Sequence, residues 1–330
     1  MTPEHRVSLA KAYCRYIAGS GRPILLGPWR SEVGFEVLYW LPFLRWFKSY
    51  TGVKAERLFP VTRGGAGVLY PHMTGADLYQ LRSVDAVRLE NAYDRQTTGM
   101  QKQWQFTAWD KGVLKEAATQ LLGRGEKYHV LHPSWMYWAL EPFWEEQRGM
   151  KHLNGITEFQ PLQKPTYHAL QLPDAFVAVK WYSRATFDTR LDDVKRHVSE
   201  ITGTIAAQVP VVLLTSGHGG DEHTDLIVDG PNIAKLPPVP AHESVHLQAA
   251  VMSRASAFVG TYGGVAQMAL RMGIPSASFY QTWGGTALAH KTLSHWLGIK
   301  TNTNFQVGNL SDTALWRRVV SVAMPVEKKA

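Results

Sequence analysis

The stretch AFVGTYGGVAQMALRMGIPSASFY, residues 257–280, decides how this chain folds. AFVGTYGG (257–264) is an apolar strand that breaks at two glycines. VAQMALRMG (265–273) carries apolar residues at helical spacing and stops at Gly273, and PSASFY (275–280) is a second short strand. Two strands joined through a helix run parallel, so the stretch predicts a β-α-β unit.

The same alternation extends in both directions. Toward the N-terminus, AFVAVKWY (175–182), PVVLLTSG (210–217) and NIAKLPPV (232–239) read as strands, and RLDDVKRHVSEITGTIAAQ (190–208) and ESVHLQAAVMSRAS (243–256) as helices. Further on, TALAHKTLSHWLG (286–298) and SDTALWRRVVSVAM (311–324) read as closing helices. The first half repeats the theme: strands RPILLGPW (22–29), RLFPVTR (57–63) and KYHVLHPSW (127–135), helices VLYWLPFLRWFKSY (37–50) and KGVLKEAATQLLGRG (111–125). Residues 64–108 show no clear period. QPLQKPTYHALQLPD (160–174) carries three prolines and reads as a linker. The expected class is α/β, with two Rossmann-like parallel-sheet domains facing each other across a cleft. Residues 1–160 form the first, 161–174 the linker and 175–330 the second, whose last helix is free to pack back on the first.

Composition agrees. A chain of 330 residues exceeds what one core ordinarily supports. One cysteine, Cys14, allows no intrachain disulfide and no cysteine-based metal site, which favours a reducing compartment. The first residues are too polar for a signal peptide, and no apolar run reaches about 18 residues. The expected location is cytoplasmic, with room for peripheral contact at the inner face of a membrane. The net charge of +8 is uneven. Residues 1–165 hold 21 Lys+Arg against 15 Asp+Glu, and the remainder 14 against 12, so an anionic partner suits the first half. The basic residues are dispersed and no RNA or DNA motif appears, so nucleic acid is not an expected partner. Twelve tryptophans supply flat apolar faces of the kind that stack on sugars and bases.

In parallel α/β sheets, ligands bind beyond the carboxyl ends of the strands, which directs attention there. The strand 175–182 carries Lys180 near its end, and Arg184 and small polar residues follow it, suited to clamping a diphosphate. Thr215 and Ser216 follow the strand 210–216, then HGGDEHTD, which matches no metal-ligand spacing and reads as a polar loop. Thr261, Tyr262, Gly263 and Gly264 end the strand of the opening stretch, and amides at a glycine-rich helix start bind phosphate. No G-x-G-x-x-G or P-loop pattern is present. In the first half, GPWRSEVGFEVLYWLPFLRWF (27–47) places Glu32 and Glu36 where a strand hands over to a helix, beside Arg30. HVLHPSWMYWALEPFW (129–144) crowds His132, Trp135 and Tyr137 after another strand, either as core or as a platform for an acceptor sugar.

GFEVLYWLPFLRW (34–46) resembles the glycine–acid–V-L-x-x-L-P-x-L segment of the lipopolysaccharide heptosyltransferases, and FVGTYGGVAQMALRMGIP (258–275) is similar to that family's donor-binding turn. The resemblance covers two blocks of the chain and their order. It implies the GT-B fold, a nucleotide-sugar donor as co-substrate, and a catalytic base at Glu36. Phe35 stands where the family has glycine, and Thr261 and Tyr262 occupy the neighbourhood of an acid that the family carries in the donor turn.

The resulting expectation is a glycosyltransferase moving a sugar from a nucleotide-sugar to a glycan or lipid-linked acceptor, as in bacterial surface polysaccharide assembly, without a metal or bound cofactor. A base takes the acceptor proton, and fixed donors neutralise the leaving diphosphate. Glu36 or Glu32 is the base, an inverting arrangement if Glu36, and Glu36 has a third reading as a structural helix acid. The donor is assigned to Lys180, Arg184, Thr215, Ser216, Thr261, Tyr262, Gly263 and Gly264, and the acceptor to Arg30, His132, Trp135 and Tyr137. A nucleotide-sugar epimerase, a retaining transferase and a non-enzymatic glycan- or nucleic-acid-binding module are the alternatives.

Overall fold

The computed structural model describes residues 2–98, 103–167, 170–184, 186–216, 223–282, 287–312 and Arg317. The loop 217–222 and most of the helix expected over 311–324 lie outside the described residues. The chain divides into two compact units, Met1–Gln160 with Ala241–His246, and Pro161–Pro240 with Leu247–Ala330.

The first unit has a parallel sheet of four strands, β1 (Ile24–Leu26), β2 (Leu58–Thr62), β3 (Ala76–Asp77) and β4 (His129–Leu131), in the order β3-β2-β1-β4. Leu25 and Val61 pack on one side against Val113, Leu114, Ala117 and Ala118 of the helix Ala108–Leu122. That helix begins at a capping box in which Thr107 and Asp110 satisfy each other's backbone amides.

The second unit has six parallel strands: β5 (Val177–Lys180), β6 (Val211–Leu213), β7 (Ile233–Lys235), β8 (Ala257–Thr261), β9 (Ser276–Tyr280) and β10 (Phe305–Asn309). Their order is β10-β9-β8-β5-β6-β7. β5, β6 and β8 are buried along their whole length, as continuous apolar runs in a parallel sheet require. Gly260 pairs with Lys180, and a Cβ there would stand 2.1 Å from the Lys180 carbonyl oxygen, so only glycine fits between these strands.

In both sheets the strand order reverses once. The reversal falls between β1 and β4 in the first unit and between β5 and β8 in the second. At such a point neighbouring connections leave toward opposite faces, opening a crevice beyond the carboxyl ends of the two strands.

The helix expected at 37–50 starts earlier and is not uniform. Val33–Phe35 is α-helical, Glu36–Trp40 forms a widened π turn, and Leu41–Thr51 resumes the α-helix. Pro42 has no N–H to continue the regular ladder, and the Leu41 amide reaches back five residues to the Glu36 carbonyl instead. The strand expected at 127–135 ends at Leu131, because Pro133 opens a helix that runs to Trp144. The helices Pro3–Gly19 and Val84–Thr98 and the strand β10 were not anticipated. No helix among the described residues is long and apolar enough to cross a membrane.

Candidate functional site

The reversal point of the second unit brings together the ends of β5 and β8. Past β5 the chain reaches Arg184, whose Nη1 donates to the Tyr262 carbonyl oxygen at 2.9 Å. Past β8, Gly263 caps the helix Gly264–Arg271. Gln267 is the first to donate along that helix, to the Gly263 carbonyl at 3.0 Å, so the amides of Gly264, Val265 and Ala266 precede the ladder. A Cβ at Gly263 would stand 2.0 Å from the Tyr182 Oη and 2.7 Å from Arg184 Nη1. Glycine is therefore what lets both side chains lie against the helix start.

Arg184 is half-buried, its Nε is buried without a hydrogen-bond partner, and it has no carboxylate partner among the described residues. Its charge reaches inward, adding to burial in pushing His290 down to about 3. A guanidinium stays charged in proteins, and here it lies beside a helix N-terminus, which adds positive potential. Positive potential from both sources therefore meets at one place, a setting in which an anion can bind.

The other residues assigned to a donor do different work. Lys180 is buried, donates to the Leu214 carbonyl at 3.0 Å and pairs with Asp225 at 3.2 Å. Asp225 also accepts from the Ser216 amide and hydroxyl at 2.6 and 2.7 Å. Lys180 and Ser216 are thus committed to one ion-paired knot that ties the β5 and β6 ends together. Among the described residues, Thr215 makes one long contact, 3.4 Å, with the Leu236 carbonyl. The Thr261 hydroxyl is buried and shared between the amide and carbonyl of Tyr182. Tyr262 turns its ring inward, 6.4 Å from Phe305, and offers only its carbonyl to Arg184. Sequence reading missed Asp225, because only the fold brings residue 225 back to the β5 end.

At the reversal point of the first unit, the β1 end leads into Arg30, Ser31 and Glu32. Arg30 is fully enclosed. It donates to Asp110 at 2.9 Å, Asp94 at 2.6 Å and Asn91 at 2.9 Å. Its assignment to an acceptor is corrected: its donors are spent inside the unit. Asp110 would be raised by burial, but hydrogen bonding with His132 and the charge of Arg30 bring it down to about 2. His132 is likewise internal. Its Nδ1 accepts from the Ser134 amide at 3.1 Å, capping the helix Pro133–Trp144, and its Nε2 lies 3.4 Å from Asp110. Burial lowers its pKa despite that neighbour. Tyr137 is buried and donates to Ser31 Oγ at 2.9 Å. Burial, then the charges of Glu32 and Glu36, hold its phenol protonated. Trp135 remains half-buried, one face covered by Tyr13 at 4.3 Å.

The two glutamates differ sharply. Glu36 is 0% exposed, and its Oε1 accepts from the Tyr70 hydroxyl at 2.6 Å. Burial and this carboxylate together hold the Tyr70 phenol well above its usual range. In this packing the Glu36 carboxylate is enclosed and one of its oxygens is taken by Tyr70. Glu32 precedes the helix turn Val33–Phe35, is half-buried, and makes no side-chain capping bond. Among the described residues no group of three or more His, Cys, Asp or Glu side chains is placed to hold a metal ion.

No family model matches the chain, and neither does any curated protein. It is similar to solved glycosyltransferase structures. The glycosyl transferase family 9 protein from Veillonella parvula is 13% identical with a TM-score of 0.45, over 92% of this chain and 96% of that one. The E. coli heptosyltransferase WaaC, solved with ADP, is 13% identical with a TM-score of 0.46, over 91% and 100%. E. coli ADP-heptose LPS heptosyltransferase II is 10% identical with a TM-score of 0.48, over 91% and 96%. Likenesses of this size concern fold, and the chemistry open to Arg184 and Glu32 rests on their own surroundings.

Proposed function

We propose that this chain is a glycosyltransferase whose second unit binds the diphosphate of a nucleotide-sugar at Arg184 and the Gly263–Gly264 helix start. The observation that carries the reading is Arg184 itself. It is a half-buried cation at the strand-order reversal, fixed by a backbone carbonyl, with no carboxylate partner among the described residues, beside the amides that open the helix Gly264–Arg271. A leaving diphosphate develops negative charge as the sugar departs, and donors already in place stabilise it without reorganising. Gly263 allows that placement, and the knot of Lys180, Asp225 and Ser216 ties the β5 and β6 ends together.

The first unit holds the acceptor in this reading. Glu32, the half-buried carboxylate after β1, takes the proton from the acceptor hydroxyl, a contribution of about 10²–10⁴ in rate. Direct displacement of the diphosphate by an oxygen so activated inverts the anomeric centre. The acceptor is a glycan or lipid-linked glycan.

A thermal-shift panel of nucleoside diphosphates and nucleotide-sugars tests the reading, since a ligand that binds only the native state raises the melting temperature by mass action. At least one nucleoside diphosphate is expected to stabilise the protein. A panel without any stabilising member contradicts the assignment. Conversion of a nucleotide-sugar to its epimer without acceptor would replace transfer by epimerisation at the same site.

A further inference from the structure

Gln103 is a buried residue in the left-handed region, φ 68°, where a side chain other than glycine is uncommon. Its Oε1 accepts from the amides of Arg30 and Ser31 at 2.9 and 3.1 Å and from Ser31 Oγ at 3.2 Å, and its Nε2 donates to the Pro28 carbonyl. One side chain thus fastens the loop after β1 to the segment that follows Gln103. Backbone strain of this kind persists where surrounding structure enforces it, and it clusters at ligand sites.

The two residues that follow this bonded pair are Glu32, after Ser31, and Trp104, after Gln103. Both report to the same phenol. The charge of Glu32 raises Tyr137, and the Trp104 ring lies 5.9 Å from the Tyr137 ring. Phe35 lies 6.0 Å from Tyr137 and 5.6 Å from Trp144. Tyr137 and Trp144 are buried, whereas Trp104, Phe35 and Glu32 are each half-buried.

We infer that Trp104 and Phe35 form a sugar-binding subsite beside Glu32, with Trp104 stacking on the apolar face of the acceptor ring. This deepens the proposed transfer reaction and rests on it for the role of Glu32. A pyranose has an apolar face and a rim of hydroxyls, which an aromatic ring and a carboxylate respectively suit. The clamp at Gln103 holds the platform and the carboxylate in fixed register, so the bound hydroxyl meets Glu32 without loop rearrangement. Trp104 is a positioning residue and takes no proton.

The test uses the full chain labelled with fluorotryptophan and observed by fluorine NMR, with the Trp104 resonance identified by its absence in Trp104→Phe. The probe is a printed array of bacterial surface oligosaccharides, followed by titration of the best binder. The expected result is binding that shifts the Trp104 resonance, weakens about tenfold or more in Trp104→Ala and largely returns in Trp104→Phe. Binding that leaves the Trp104 resonance unmoved overturns the subsite, as does an array on which no oligosaccharide binds. The nucleotide panel is read separately: glycan binding at Trp104 with no nucleotide bound would leave the subsite standing and remove the transferase.

Discussion

Arg184 and Gly263 touch at the reversal point of the second sheet: a Cβ at Gly263 would stand 2.7 Å from the guanidinium Nη1. The contact makes glycine a condition for the position of the cation. Gly263 has an extended φ of 174°, open to any residue, so its cost on substitution comes from displaced side chains and not from backbone strain. Gly263→Ala is therefore expected to fold with near-normal stability while Tyr182 and Arg184 move aside. The measurement is affinity for the stabilising nucleoside diphosphate beside the melting temperature. Weakened binding with a melting temperature within a few degrees is expected, and unchanged binding would show that the guanidinium does not touch the ligand.

Arg30 should behave as a structural residue. Removing one member of a buried ion-paired network leaves its partners unpaired, at a cost of about 3–5 kcal/mol. Arg30→Ala strands Asp94 and Asp110 in the interior. Equilibrium denaturation is expected to register a loss of that order. A stable variant that fails only in acceptor binding would restore the sequence-based assignment.

The two glutamates separate in kinetics and stability. Glu36→Ala deprives the buried Tyr70 hydroxyl of its acceptor and is expected to cost about 1–3 kcal/mol in denaturation. Glu32→Gln keeps the fold and donor binding and lowers turnover, read as nucleoside diphosphate released in the presence of acceptor, by about 10²-fold or more. Full turnover in Glu32→Gln would remove it as base.

Much of the architecture was legible in the sequence. The apolar runs of β5, β6 and β8 end at glycine or small polar residues, and a helix with clear spacing follows β5 and β8. The helix Pro3–Gly19 was not, because it buries only the small stripe Ala10, Cys14 and Ile17. Strand β10, FQVGN, is a sheet edge with mixed exposure, so it lacks the continuous apolar signal of its neighbours. The placement of Arg184 and the two glycines at strand ends followed from position alone, since the end of a parallel strand is a local property. The burial of Glu36 and Arg30 depends on Tyr70, Asp94 and Asp110, residues 34 to 80 positions away. Local pattern carries no trace of such pairs. The clamp at Gln103 escaped for the same reason: its partners lie 72 to 75 residues upstream.

His290 and His132 make stability fall on the acid side. Burial lowers both, His290 to about 3, so the unfolded chain takes up protons first as pH drops below about 6.5. Their contribution is complete above that value and declines as pH falls toward the folded-state pKa, at a slope of up to about 1.4 kcal/mol per pH unit for each histidine. Denaturation between about pH 7 and pH 4 is expected to show this decline, with a shallower slope in His290→Gln. An unchanged slope in that variant would mean His290 is protonated alike in both states.

Calorimetric titration of the stabilising nucleoside diphosphate into three proteins tests the donor site most directly: the native chain, Arg184→Ala and Arg190→Ala. Arg190 lies on the same connection but is exposed and already paired with Asp188 at 2.7 Å. A charge-assisted hydrogen bond of about 1.5–3 kcal/mol corresponds to a loss of roughly ten- to a hundredfold in affinity. That loss is predicted in Arg184→Ala, with Arg190→Ala binding like the native chain. Equal affinity in the native protein and Arg184→Ala would contradict the account.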